Sequence, residues 1–142
     1  LIKTRVFADT SWWIATVDRA DASRERVAVL TAQIQPRAII TSEMVLVELL
    51  NHFCGAGGHW RRVAIMAVSA IRDTCQVIPQ SGRLFDEALA VYGSRMDKGW
   101  SLTDCASMAI MTRYGITDAL THDHHFEQAG FRALLRQGPE ND

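Results

Sequence analysis

Four acidic residues of this 142-residue chain stand where carboxylates commonly do chemistry. Asp9 follows the apolar run Val6-Phe7-Ala8, Asp104 lies in Ser101-Leu102-Thr103-Asp104, and Asp123 follows Leu120-Thr121-His122. Glu48 is embedded in Met44-Val45-Leu46-Val47-Glu48-Leu49-Leu50. A carboxylate among such neighbours is costly to bury unless it is paired or coordinates a cation. Four clustered carboxylates repel one another unless cations sit between them, and an oxygen-only donor set suits Mg²⁺ or Mn²⁺. Two such ions roughly 3.5–4 Å apart can activate a water and stabilise the leaving oxygen in phosphodiester cleavage. Thr10, Ser11, Thr103 and Thr121 flank the acids, placed to orient carboxylates or bind a phosphate oxygen.

Each acid also has a plainer reading. Asp9 and Asp123 suit helix N-caps, and Asp104 has capping-box spacing from Ser101. Glu48 can share a solvent-facing stripe with Glu43, Val47 and Asn51. Small hydroxyls at helix starts are more often caps than ligands. The acids gain weight only through their joint position, which the surrounding elements set.

Apolar runs predict buried strands over residues 6–8, 38–42, 75–78, 116–121 and 133–135. Between them, helical periodicity predicts helices over 12–17, 20–33 (Val27, Leu30 and Ile34 on one face), 43–53, 60–72, 81–96 and 102–114, with a turn or two over 123–129. Gly55, Gly57 and Gly58 make a loop, Pro36 and Pro79 interrupt, and Gly115 ends the 102–114 helix. Strands separated by helices imply right-handed crossovers and a mainly parallel sheet covered on both faces. The expected fold is therefore a three-layer α/β domain, single and spanning residues 1–142. In such sheets ligands sit at the carboxyl ends of the strands. Asp9, Asp104 and Asp123 fall at strand ends or helix starts, and Glu48 lies on the helix that follows strand two. All four are expected to face one edge.

The 15 Lys and Arg balance 16 Asp and Glu, which excludes crude electrostatic capture of nucleic acid. With four acids neutralised by metal, 15 basic residues would face 12 acidic ones. The longest nearly apolar stretch, residues 63–71, is far short of the ~20 residues that cross a bilayer. No secretory pattern opens the chain, where Lys3 and Arg5 bracket a strand-like run; Leu1 rather than Met stands first, so a different natural start is expected. Cys54, Cys75 and Cys105 are an odd number at wide spacing, fitting a reducing cytoplasm and small buried hydrophobes.

His122, His124 and His125 surround Asp123, and neutral imidazole binds transition metals. A zinc or manganese hydrolase is the sharp alternative. Against it, strand alternation would aim His122 and His124 together and send Asp123 elsewhere, and no other His or Cys pair completes a tetrahedral set. His125 before Phe126 reads as a packed or hydrogen-bonded structural residue. Residues 49–72 carry no acid but hold Arg61, Arg62, Arg72, His52, His59 and Trp60. That stretch is the best local patch for single-stranded RNA, although solvated arginines, a packed Trp60 and surface or dimer-contact histidines are the plainer reading.

At these motifs the sequence resembles the PIN-domain family, and within it the VapC-type toxin ribonucleases. The resemblance runs from Val6-Phe7-Ala8-Asp9-Thr10-Ser11 to Gln128-Ala129-Gly130-Phe131. The family's first acid matches Asp9, its helical glutamate matches Glu48 in Val47-Glu48-Leu49, and its Ser-x-Thr-Asp acid matches Asp104. Its Leu-Thr-x-Asp-x-His-Phe acid matches Asp123 in Leu120-Thr121-His122-Asp123-His124-His125-Phe126. The resemblance implies a three-layer α/β/α fold and a Mg²⁺- or Mn²⁺-dependent endoribonuclease leaving a 5′-phosphate. Asp9, Glu48, Asp104 and Asp123 would be its metal-binding and catalytic acids. It further implies a homodimer and a cognate antitoxin whose tail blocks the acidic pocket. Asp118 is expected to be a supporting or structural acid, and the bulky pair Trp12-Trp13 bears on the shape of the pocket mouth. Two alternatives stand beside this reading: a PIN-fold protein that mainly binds a protein partner, and a haloacid-type hydrolase. The latter would want a second Asp that Asp9-Thr10-Ser11 lacks.

Overall fold

The computed structural model describes residues 4–137; Leu1 and Lys3 lie outside the described residues. Five strands, β1 (Val6–Ala8), β2 (Ile39–Ser42), β3 (Gln76–Ile78), β4 (Asp118–Leu120) and β5 (Arg132–Ala133), form one sheet. Their order is β3-β2-β1-β4-β5, and every neighbouring pair is parallel. Parallel pairing demands crossovers, and helices supply them: α1 (Thr10–Val17), α2 (Arg24–Thr31), α3 (Glu43–Phe53), α4 (Gly58–Thr74), α5 (Gly82–Ser94), α6 (Leu102–Tyr114) and α7 (His124–Gln128). The result is the expected three-layer α/β/α arrangement.

Strand β1 lies at the centre of the sheet and is wholly buried, which its unbroken Val6-Phe7-Ala8 run requires of a strand covered on both faces. Around it pack Trp12, Ile40, Leu49, Ile110, Met111 and Phe126. Trp12 and Trp13 belong to this core rather than to any pocket mouth. Trp13 Nε1 donates to Thr41 Oγ1 at 3.3 Å, and Thr41 Oγ1 donates to the Ala8 carbonyl at 2.8 Å. The indole therefore ties α1 to the ends of β1 and β2.

Three predicted elements shift. The helix expected over 20–33 is only Arg24–Thr31, because Asp18 and Asp21 accept from the amides of Ala20 and Ser23 and hold that stretch in turns. The apolar run 133–135 is not the last strand, which is Arg132–Ala133. Leu134 is buried and its amide donates to Ala119, so the run covers the sheet end from a turn. Strand four shrinks from 116–121 to Asp118–Leu120. Of the three cysteines only Cys105 is buried, while Cys54 is exposed. Asp118 accepts from Arg132 Nε and Nη2 at 2.7 and 2.8 Å, fastening β4 to β5 away from the acidic cleft. Among the described residues, no helix is long and apolar enough to cross a membrane.

The chain runs from β1 outward to β2 and β3, then crosses to β4 on the other flank of β1. The order thus reverses between β1 and β4. Such a reversal opens a crevice at the carboxyl ends of the two strands.

Candidate active site

A cleft of about 500 Å³ opens at that reversal, and Asp9, Glu48, Asp104 and Asp123 all line it. The four acids singled out from the sequence therefore share one wall system, although 114 positions separate the first from the last.

Asp9 sits at the N-cap position of α1, yet its side chain makes no cap hydrogen bond, so the capping reading fails for this residue. Its Oδ2 accepts instead from Thr121 Oγ1 at 3.0 Å. Thr121 Oγ1 in turn lies 3.1 Å from Ser11 Oγ and accepts from the Asp123 amide at 3.0 Å. One hydroxyl at the end of β4 thus locks the carboxylate that ends β1. Asp9 is only 5% exposed. Burial pushes its carboxyl up to about 7, against the lowering effect of the Thr10 amide and Thr121 hydroxyl, with the nearby charges of Asp104 and Glu48 adding to the rise.

Glu48 projects from α3, whose start is fixed by Ser42 accepting from the Val45 amide at 3.2 Å. Glu43, Val47 and Asn51 are exposed, whereas Glu48 is half-buried and lines the cleft, so it is not part of that solvent stripe. Thr10 Oγ1 donates to its Oε1 at 2.5 Å.

Asp104 and Asp123 do cap helices, and they face the cleft as well. Asp104 Oδ2 accepts from the Ser101 amide at 3.1 Å while Ser101 Oγ accepts from the Asp104 amide at 3.0 Å, the capping box that opens α6. Asp123 Oδ1 accepts from the His125 amide at 2.9 Å and opens α7. The ring of His125 joins the two acids, with Nδ1 3.0 Å from Asp104 Oδ2 and 3.3 Å from Asp123 Oδ1. His125 was expected as a hydrogen-bonded structural residue; it is hydrogen-bonded, but to two of the four acids.

One oxygen of each acid is thus held by a protein donor. Glu48 Oε2, Asp104 Oδ1 and Asp123 Oδ2 accept no protein hydrogen bond among the described residues. Among the described residues, no Lys or Arg lines the cleft to offset the acids. A hard dication such as Mg²⁺ or Mn²⁺ fits this donor set, because it would satisfy the remaining oxygens and relieve the cost of ionising buried Asp9.

Sequence reasoning did not place Asp21 and His52 in the lining, where both occur. The alternation argument also fails: β4 ends at Leu120 and α7 begins at His124, so Asp123 stands beside His124 and His125 rather than opposite them. In the arginine-rich stretch Trp60 is packed, as its plainer reading expects. Trp60 stacks on Phe53 with centroids 5.2 Å apart, and Arg61 Nη1 donates to the Cys54 carbonyl at 2.9 Å.

The sequence pattern of the PIN domain matches residues 6–132. A curated relative, the 23S rRNA-specific endonuclease VapC20 of Mycobacterium tuberculosis, is 32% identical over 129 residues, covering 89% of this chain and 95% of its own. The crystal structure of M. tuberculosis VapC20, described as a sarcin-ricin loop cleaving toxin, matches with TM-score 0.79 and 30% identity over 89% of this chain and 95% of that one. FitAcB from Neisseria gonorrhoeae shares the fold at TM-score 0.68 and 14% identity, over 90% and 94% of the two chains. PAE2754 from Pyrobaculum aerophilum does so at 0.64 and 15%, over 94% and 91%. With the acids gathered at the sheet reversal and these likenesses spanning nearly its whole length, the chain belongs to the PIN-domain family, among the VapC-type toxin endonucleases.

Proposed function

We propose that this protein is a Mg²⁺- or Mn²⁺-dependent endoribonuclease, the toxin of a type II toxin–antitoxin module, acting through Asp9, Glu48, Asp104 and Asp123. The observation that carries the reading is the convergence of these four acids on one cleft, each steadied through one oxygen by a protein donor. A bound dication would supply acidification of a water and neutralisation of phosphate charge. The chain's own contribution is position: Thr10 and Thr121 fix Glu48 and Asp9, and His125 fixes Asp104 against Asp123. Preorganised donors of this kind need no rearrangement as charge develops on the phosphate.

The relation to a 23S rRNA-specific endonuclease makes 23S rRNA the first substrate to test. A homodimer and a cognate antitoxin are part of the proposal. The exposed apolar residues Phe85, Leu89, Tyr92 and Met96, spaced along one side of α5 and just beyond it, support burial against another chain. Three free cysteines support a cytoplasmic setting, and the single sheet supports one domain.

The deciding experiment maps RNA 5′ ends after brief expression, and repeats the cleavage with purified protein on 23S rRNA. The parent is expected to leave 5′-phosphate ends only when Mg²⁺ or Mn²⁺ is present, and Asp104→Asn to leave none above background. Equal cleavage by Asp104→Asn and parent would sink the assignment.

A further inference from the structure

At the rim of the cleft, Asp123, His124 and His125 bring one carboxylate and two imidazole donors together, with ligand atoms all within 4.8 Å of one another. Asp123 Oδ1 stands 3.3 Å from His125 Nδ1 and 3.6 Å from His124 Nδ1. In a tetrahedral zinc site with bonds of about 2.0–2.1 Å, neighbouring ligand atoms are about 3.3–3.4 Å apart. Two of the three edges of such a site are therefore already near their bound length. The third can close by rotation of His124, whose side chain is 57% exposed and whose ring lies 4.5 Å from that of His125 between centroids. Asp123 is already held by capping α7, and His125 would exchange its contact with Asp104 for the metal.

The chemistry of this trio differs from that of the four carboxylates. Two imidazoles and one carboxylate favour borderline ions such as Zn²⁺, Co²⁺ or Ni²⁺ over Mg²⁺. We propose that Asp123, His124 and His125 form a separate transition-metal site of the Zn²⁺ class, with its fourth position open to water. Asp123 belongs to both sites. His125 Nδ1 cannot bind a metal and also donate to Asp104 Oδ2, 3.0 Å away. Occupation of the trio therefore withdraws two groups from the acidic cleft and switches the nuclease off; this consequence, unlike the binding itself, rests on the proposed activity. His124 does not line the cleft, although His122, Asp123 and His125 do. It is the one ligand of the trio that lies outside the cleft lining.

The test uses the full chain, Co²⁺ as an optical probe and Zn²⁺ as its competitor. The parent is expected to give visible d–d absorption on adding Co²⁺ and to lose it when Zn²⁺ displaces the probe. His124→Ala should weaken Co²⁺ binding on the order of 10–100-fold. It should raise the Zn²⁺ concentration that halves Mg²⁺-supported RNA cleavage by a similar factor, with zinc-free cleavage at the parent rate. His124→Ala binding Co²⁺ as tightly as the parent, or being inhibited by Zn²⁺ to the same degree, overturns the proposal. Co²⁺ binding that depends on His124 in a protein that cuts no RNA would uphold the site and sink the nuclease. Cleavage with Co²⁺ binding indifferent to His124 would do the reverse.

Discussion

The two halves of the acidic cleft solve one problem by different means. Asp9 and Glu48 are held by the hydroxyls of Thr121 and Thr10, and neither caps a helix. Asp104 and Asp123 are held by backbone amides and one imidazole; Asp123 is the N-cap of α7, and Asp104, in the first turn of α6, completes its capping box. In the first half the carboxylates are free of helix-capping duty, and burial works against the charge of Asp9. In the second, the same oxygens that steady the cleft also satisfy orphan amides at helix starts. Activity and stability should therefore be separable at Asp9 and entangled at Asp104.

Asp9→Asn gives the largest expected effect. Mg²⁺-supported cleavage should fall at least about 100-fold, beyond the usual cost of losing a supporting partner, while the thermal midpoint stays level or rises. Initial rates and melting curves on the same preparation check this, and a collapse of the fold would break the comparison. A pH series sharpens it. The folded Asp9 carboxyl sits at about 7 against an ordinary value of 3.8, so the metal-free folded chain keeps a proton that the unfolded chain releases. That contribution is complete below about pH 4 and is lost as pH rises through about 7, an effect on the order of a few kcal/mol. Denaturant melts without metal should show stability falling across that window, Asp9→Asn should flatten the slope, and Mg²⁺ should restore the parent at the alkaline end.

His125→Ala is expected to cost about 10–100-fold in cleavage, the usual toll for removing a group that orients ligands. A rate equal to the parent's would show that Asp104 and Asp123 hold their places unaided. Asp104→Ala should add to its loss of activity about 0.5–2 kcal/mol of stability, because the α6 capping box goes with it. A melt indistinguishable from the parent would dissolve the contrast between the halves. Thr10→Val is the mildest, about tenfold or less in cleavage with little change in stability, since Glu48 keeps its place on α3.

Much of this arrangement was legible in the sequence because it follows from chain direction. Apolar runs ending in Asp9 and Asp123 mark strand ends, and parallel strands put those ends on one edge. Ser101 and Asp104 declared their cap by spacing alone. What stayed hidden was side-chain direction. The sequence could not tell that Asp9 leaves its cap position unused, since that depends on Thr121 arriving from β4. Nor could it tell that His125, two residues past the N-cap Asp123, folds back on Asp104 rather than packing inward. The strand limits of Arg132–Ala133 were missed for a related reason: burial of Leu134 leaves the same apolar trace whether the residue lies in a strand or covers its end.

The hydroxyl bond from Thr121 to Asp9 spans 112 residues. At about 5–20 residues per second of synthesis, its two ends are made on the order of 10 s apart. Through that interval the growing chain carries Asp9 and Glu48 without the strand that sets one of them and without the second pair of acids. The acidic cleft therefore cannot be assembled before residue 123 has been made, whatever the order in which the helices form.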